Sequence, residues 1–262
     1  MTRWALLIEY DGTGFAGWQR QAHDLSVQAV LEAAASRLDG APVASIVAGR
    51  TDAGVHAEGQ VVHLELKRAI TGDKLASALN FHMKPHRVSI LRAAEVPPDW
   101  SARFSATGRR YRYVILNRAA RPALAQGRVW HVRPALDEAA MRLGAAELLG
   151  RHDFTSFRAT SCQAKSPIRT LDELGVMRDG ERIVIEAAAR SFLHHQVRNM
   201  VGSLKLVGEG RWMPGRMGEA LRARDRAAAG PTAPPEGLTL VGVRYPGAVF
   251  EVTREDARPE AP

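Results

Sequence analysis

The chain of 262 residues has a single cysteine, Cys162, and so can form no internal disulfide. That suits a reducing compartment. No run approaches the ~18 apolar residues of a membrane span. The opening MTRWALLIEYDG passes straight into a strand-like alternation and leaves no room for a secretory leader. A cytoplasmic protein without membrane contact is expected. One cysteine and scattered histidines speak against a structural zinc site, so no metal is expected. Walker loop, GxGxxG turn and nucleophile elbow are all missing, and no nucleotide cofactor is indicated. Acid is missing where it matters most: residues 103–133 hold eight arginines and neither aspartate nor glutamate.

That gap gives the charge its direction. The formal net charge is +8, yet residues 1–104 carry 11 Lys+Arg against 11 Asp+Glu, so the whole excess lies in 105–262. Such a field attracts polyanions, and phosphate backbones are the commonest in a cell. The competing reading is an arginine-rich surface without a partner. Apolar residues at 45% and charged residues at 24% otherwise describe an ordinary globular chain.

Hydrophobic periodicity predicts six elements in each half. TRWALLIEY alternates as a strand ending at the turn DGTG. SVQAVLEAAASRL has helical spacing, with Ser26 as N-cap and Gly40 as stop. PVASIVA and QVVHLEL read as strands, GDKLASALNFHM as a helix closed by Pro85, and RVSILRAAEV as a strand. The order then repeats. GRRYRYVILN is a strand and LDEAAMRLGAAELLG a helix running to Gly150. TLDELGVM and ERIVIEAAAR form a hairpin around Asp179-Gly180, HHQVRNMVGSLKLVG is a helix, and LTLVGVRYP closes. Each half is β-α-β-β-α-β, the ferredoxin-like split unit. The fold class is therefore α+β: two such halves, a largely antiparallel sheet, helices packed on it, and an active-site cleft between the halves. The expected divisions are 1–104, 105–250 and a flexible tail, 251–262. A helix near 216–228 and the loop PTAPPEG read as insertions.

Within this layout AGRTDAGVHAEGQVVHLEL, residues 48–66, puts Asp52 in the loop between two strands, with Gly49, Gly54 and Gly59 allowing sharp turns and close approach. A carboxylate there can be nucleophile, base or metal ligand, or Asp-Ala-Gly can be a simple turn. Arg50 can hold a substrate phosphate or pair with Asp52. In RRYRYV, Arg110 and Arg112 face one way and Tyr111 and Tyr113 the other. Tyrosine stacks on bases while arginine neutralises phosphate, but the same strand can bury its tyrosines in the core. On the last long helix Val197, Val201 and Leu204 form a buried stripe. Arg198, on the adjoining face, can reach a carboxylate of the other half. His194 and His195 are possible bases. The long polar loop 153–167 carries Arg158 and Lys165.

Seven blocks in order, EYDGTGFAGWQRQ, AGRTDAGVHA, GQVVH, ARFSATGRRYRY, DFTSFRA, FLHHQVRNMVGS and EGLTLVGV, span residues 9–243. Together they closely resemble the tRNA pseudouridine synthase A family. The resemblance implies an isomerase that converts uridine to pseudouridine in the anticodon arm of tRNA, around positions 38–40. It also implies a homodimer and no cofactor. By the same resemblance Asp52 matches the nucleophile and Tyr111 the tyrosine that stacks on uracil. Arg198 matches the basic partner of the aspartate, and Arg50 the arginine linked to extruding the target nucleotide. Whether the aspartate attacks sugar or base, or removes a ribose proton to give a glycal, stays open.

Overall fold

The structure is a computed structural model that describes residues 1–250; the expected tail, 251–262, lies outside the described residues. The first half runs β1 (Thr2–Tyr10), α1 (Val27–Asp39), β2 (Ser45–Val47), β3 (His56–Leu66), α2 (Gly72–Met83) and β4 (Val88–Glu95). The second runs β5 (Gly108–Asn117), β6 (Trp130–Val132), α3 (Glu138–Ala146), β7 (Gly150–Asp153), β8 (Ile168–Asp179), β9 (Arg182–Ala189), α4 (Gln196–Gly208), α5 (Arg216–Ala223) and β10 (Leu238–Arg244).

The ten strands form one sheet in the order β4-β1-β3-β10-β5-β9-β8-β7, with β2 on β3 and β6 on β5. Omitting β6 and β7, each half repeats one pattern. Its last strand pairs with its first, its first with its third, and its third with its second. This is the ferredoxin-like arrangement, and all of these pairings are antiparallel. The halves join where β10 runs parallel to the start of β3, Thr239 opposite His56 and Leu240 opposite Ala57. Further along, β3 pairs with β2 through Val62–Leu64.

Strand alternation explains the layering. Trp4, Leu6, Ile8 and Tyr10 of β1, and Tyr111, Tyr113 and Ile115 of β5, point into one continuous core. The inner residues of α1 to α4 fill it from the other side, among them Leu31, Leu79, Met141 and Val201. Among the described residues, the opposite sheet face carries a small cluster around Ala48, Val61 and Ala102, packed with Trp100 and Tyr245.

Local signals mostly hold. Ser26 caps α1 by accepting from Ala29 N–H, and Gly40 ends it in the left-handed region. Three readings need correction. The helix expected to reach Gly150 stops at Ala146, and Gly150, at φ 96°, opens the short strand β7. β6 has no counterpart in the sequence reading. Gly59 belongs to β3 and not to the loop. It lies beside β10, where a Cβ would strike the Val241 carbonyl.

Candidate active site

Asp52 sits at the seam, in the loop between β2 and β3. That loop is built against the turn that follows β1. Trp18 N–H donates to the Thr51 carbonyl at 3.0 Å, and Gly54 N–H to the Phe15 carbonyl at 3.3 Å. The Tyr10 hydroxyl bonds the Thr51 hydroxyl at 2.7 Å. Gln60 donates to the Gly49 carbonyl at 2.7 Å. Gly12 and Gly17 both approach this loop too closely for a side chain, Gly12 at the Val55 carbonyl and Gly17 at that of Thr51. The φ of Gly17 is +91°, and an added Cβ would lie 2.7 Å from the Thr51 carbonyl oxygen. The backbone under Asp52 is thus held from three sides, while its side chain stays 21% exposed.

Arg198 comes from the second half, on the first turns of α4. Its Nη1 donates to Asp52 Oδ2 at 3.0 Å and its Nε to the Ala233 carbonyl at 2.8 Å. The segment before β10, read from sequence as an insertion, therefore aims this arginine. Asn199 fixes that segment: its Oδ1 accepts from the Thr232 hydroxyl at 2.7 Å and from Arg226 at 3.2 Å, and its Nδ2 donates to the Phe157 carbonyl. Gly230 N–H donates to the Ser203 hydroxyl at 2.8 Å.

Two histidines complete the carboxylate's surroundings. His194 Nε2 lies 3.3 Å from Asp52 Oδ1, and His195 Nε2 lies 3.4 Å from Oδ2. Their rings are 4.0 Å apart. His195 caps α4 at φ 62°, one of the few non-glycine residues in the left-handed region. Burial lowers the His195 pKa, and His194, Arg198 and Arg226 add to this, while the Asp52 charge opposes it. The uncharged ring is favoured.

Tyr111 projects from β5 into the core and is 8% exposed, its ring edge-on to Phe192 at 5.3 Å. Burial raises its pKa, with the charges of Tyr10 and Asp52 adding, so the phenol stays protonated. Both readings of the RRYRYV strand thus meet in one residue: Tyr111 is core and also borders the carboxylate. Arg50 is exposed and pairs with no acid among the described residues, so the alternative Arg50–Asp52 pair does not form. Arg158 is half-buried and lies near Asp153.

Arg110 and Arg112 are not brought to Asp52. They lie on the face opposite Tyr111. Arg110 bonds Glu173 at 2.7 Å and Glu186 at 2.9 Å, and Arg112 bonds Glu186 at 3.1 Å. The arginine that does serve this region is Arg109, which the sequence reading passed over. Its guanidinium donates to the carbonyls of Ala48 at 2.7 Å, Arg190 at 2.7 Å and Arg103 at 3.0 Å. It ties the approach to Asp52 to the approach to His194.

At the seam of a doubled ferredoxin-like sheet, then, a carboxylate of one half is held by an arginine of the other, within electrostatic reach of a buried tyrosine. The family model described as tRNA pseudouridine synthase matches residues 6–105 and 145–246. The chain belongs to that family. It is 69% identical over 247 residues to tRNA pseudouridine synthase A of Acidiphilium cryptum, covering 94% of this chain and 97% of that one. The corresponding proteins of Paramagnetospirillum magneticum and Gluconobacter oxydans are 59% and 56% identical. Those matches cover 94% and 95% of this chain, and 96% and 92% of theirs.

Proposed function

We propose that this protein is an isomerase that converts uridine to pseudouridine in the anticodon arm of tRNA, around positions 38–40, with Asp52 as the nucleophile. The observation that carries the reading is the 3.0 Å pair between Asp52 and Arg198, made across the two halves. In this reaction the N1–C1′ bond breaks, the ring turns, and a C5–C1′ bond forms. The C5 proton is lost and N1 gains one, so atoms balance with no redox partner and no hydrolysis. Arg198 holds Asp52 in a fixed orientation through their hydrogen bond. The carboxylate then attacks sugar or base, or takes a ribose proton. Tyr111 offers a ring face without fixing a hydrogen-bonding edge, which suits a base that must rotate.

The target must leave its stack, at a cost of a few kcal/mol. Arg50, exposed beside Asp52 and unpaired among the described residues, is free to fill the gap. The basic half supplies phosphate contacts, with Arg158 next to Ala159, whose N–H bonds the His194 carbonyl. A homodimer acting in the cytoplasm completes the proposal. The homodimer rests on the resemblance of the seven blocks, and the compartment on the single cysteine.

Tritium release from tRNA labelled at uracil C5 tests it directly. Wild type should release label and Asp52→Ala should not, while both still bind tRNA. Binding without release by either protein would favour a non-catalytic RNA-binding protein of the same fold. Equal release by both would reduce Asp52 to a turn residue.

A further inference from the structure

Asp52, His194 and His195 are more than a nucleophile with neighbours. One ring nitrogen of each histidine and one oxygen of Asp52 lie within 4.8 Å of one another. From these positions we propose that the site binds a divalent transition metal ion of the zinc type, and that the bound ion masks the nucleophile and switches the enzyme off.

Four observations support it. With metal–ligand distances of about 2.0–2.1 Å, tetrahedral zinc sets its ligand atoms about 3.3–3.4 Å apart. The contact between His194 Nε2 and Asp52 Oδ1, at 3.3 Å, already matches that edge, and His195 Nε2 lies 3.4 Å from the neighbouring Oδ2. His194 is 42% exposed, so its ring can swing to close the remaining distance. Arg198 occupies Oδ2, which leaves Oδ1 for the metal and supports the carboxylate from behind, as outer hydrogen bonds do in metal sites. The left-handed backbone at His195 is a local cost that turns two successive rings to the same side.

Two imidazoles and one carboxylate select zinc, copper or nickel over magnesium and calcium. The fourth position would face solvent. Arg198 and Arg226 oppose a cation, so the affinity expected is micromolar and not the far tighter grip of a structural site. The ion would cover Oδ1, the oxygen that Arg198 leaves open, and so block its attack. Inhibition therefore rests on the synthase reading, whereas binding does not.

The experiment titrates zinc alone into metal-free full-length protein, read by competition with a chromophoric chelator, alongside tritium release. Expected are one zinc per chain, release that falls as the site fills and returns with chelator, and no effect of magnesium. His194→Ala combined with His195→Asn should weaken binding by at least about tenfold; asparagine is tolerated at the positive φ. The exposed single variant His194→Ala serves if the pair does not fold. Zinc binding that survives loss of the histidines, or that vanishes in Cys162→Ser, overturns the site. Release that persists at saturating zinc overturns the masking. A wild type that never releases label overturns the synthase reading and leaves the binding result standing.

Discussion

Replacing Arg198 with methionine removes two hydrogen bonds and one charge while keeping a side-chain stem on α4. The lost bond to Asp52 is charge-assisted, and such bonds contribute about 1.5–3 kcal/mol net. Arg198 is 12% exposed and Asp52 21%. Solvent therefore screens the pair only in part, and His194 and His195 replace part of what is lost. The lower two-thirds of that range, about 1.5–2.5 kcal/mol, is the reasonable expectation, and at 1.4 kcal/mol per decade it slows the reaction by about 10- to 70-fold.

The assay is single-turnover tritium release at saturating enzyme, with tRNA affinity measured separately. Because Arg198 contacts a carboxylate and a protein carbonyl, the loss should fall on the rate and leave affinity within about threefold. The orphaned Ala233 carbonyl adds a stability cost of about 1 kcal/mol, a drop of roughly 2–4 °C in Tm. Arg198→Lys keeps the charge but not the two-point fork, and should recover only part of the rate. A Met variant that turns over within twofold of wild type would show that Asp52 does not depend on this pair. A loss confined to tRNA affinity would make Arg198 an RNA contact instead.

Gly17→Ala should cost at least about 2 kcal/mol in chemical denaturation and abolish release, since a Cβ at φ +91° would press 2.7 Å against the Thr51 carbonyl oxygen; an unchanged transition would refute the packing. Arg109→Met should lower the rate of release with tRNA binding intact, because the carbonyls of Ala48 and Arg190 lose their shared donor; a normal rate would show that each approach holds itself. For Asp11, burial alone would raise the pKa, but hydrogen bonds from Thr13 and Arg87 and the charge of Arg128 outweigh it, and the folded value lies below the ordinary 3.8. Its stabilising contribution is thus complete above that value and lost as pH falls below it. Urea melts on Asp11→Asn should show a shallower acid limb, and parallel limbs would refute the assignment.

How far the sequence can be read depends on the range of the interaction. Strands and helices with clean periods, such as β1, α1 and α4, were legible because each buries one face. The three- and four-residue strands β6 and β7 were not, since alternation needs more residues to show. Leu148 and Leu149 continue a helical pattern, yet Gly150 leaves it to pair with Leu171 of β8. Asp52 could be singled out by its glycine-rich loop, and Arg198 by its helix face. Their meeting could not be derived from spacing, because the arginine's aim comes from Ala233, in a proline-rich stretch without period. Arg110 and Arg112 show the converse. Their charge suggested phosphate, but the carboxylates that hold them, Glu173 and Glu186, lie more than 60 residues away.

The same reasoning explains why the site forms where it does. β3 lends one edge to two partners, to β10 through His56 and Ala57 and to β2 through Val62–Leu64. Asp52 precedes this divided edge by four residues, so the loop carrying it must cross the seam between halves. Arg198 approaches the same point from α4, which α5 separates from β10 in the chain. The seam itself is narrow, two paired residues wide, and needs Gly59 because any side chain there would strike the Val241 carbonyl. Gly59→Ala should therefore separate Asp52 from Arg198 without disturbing either half's own core. The expected signature is loss of release with a thermal transition that splits or broadens. A single sharp transition together with full activity would show that the two halves do not rely on this contact to align the site.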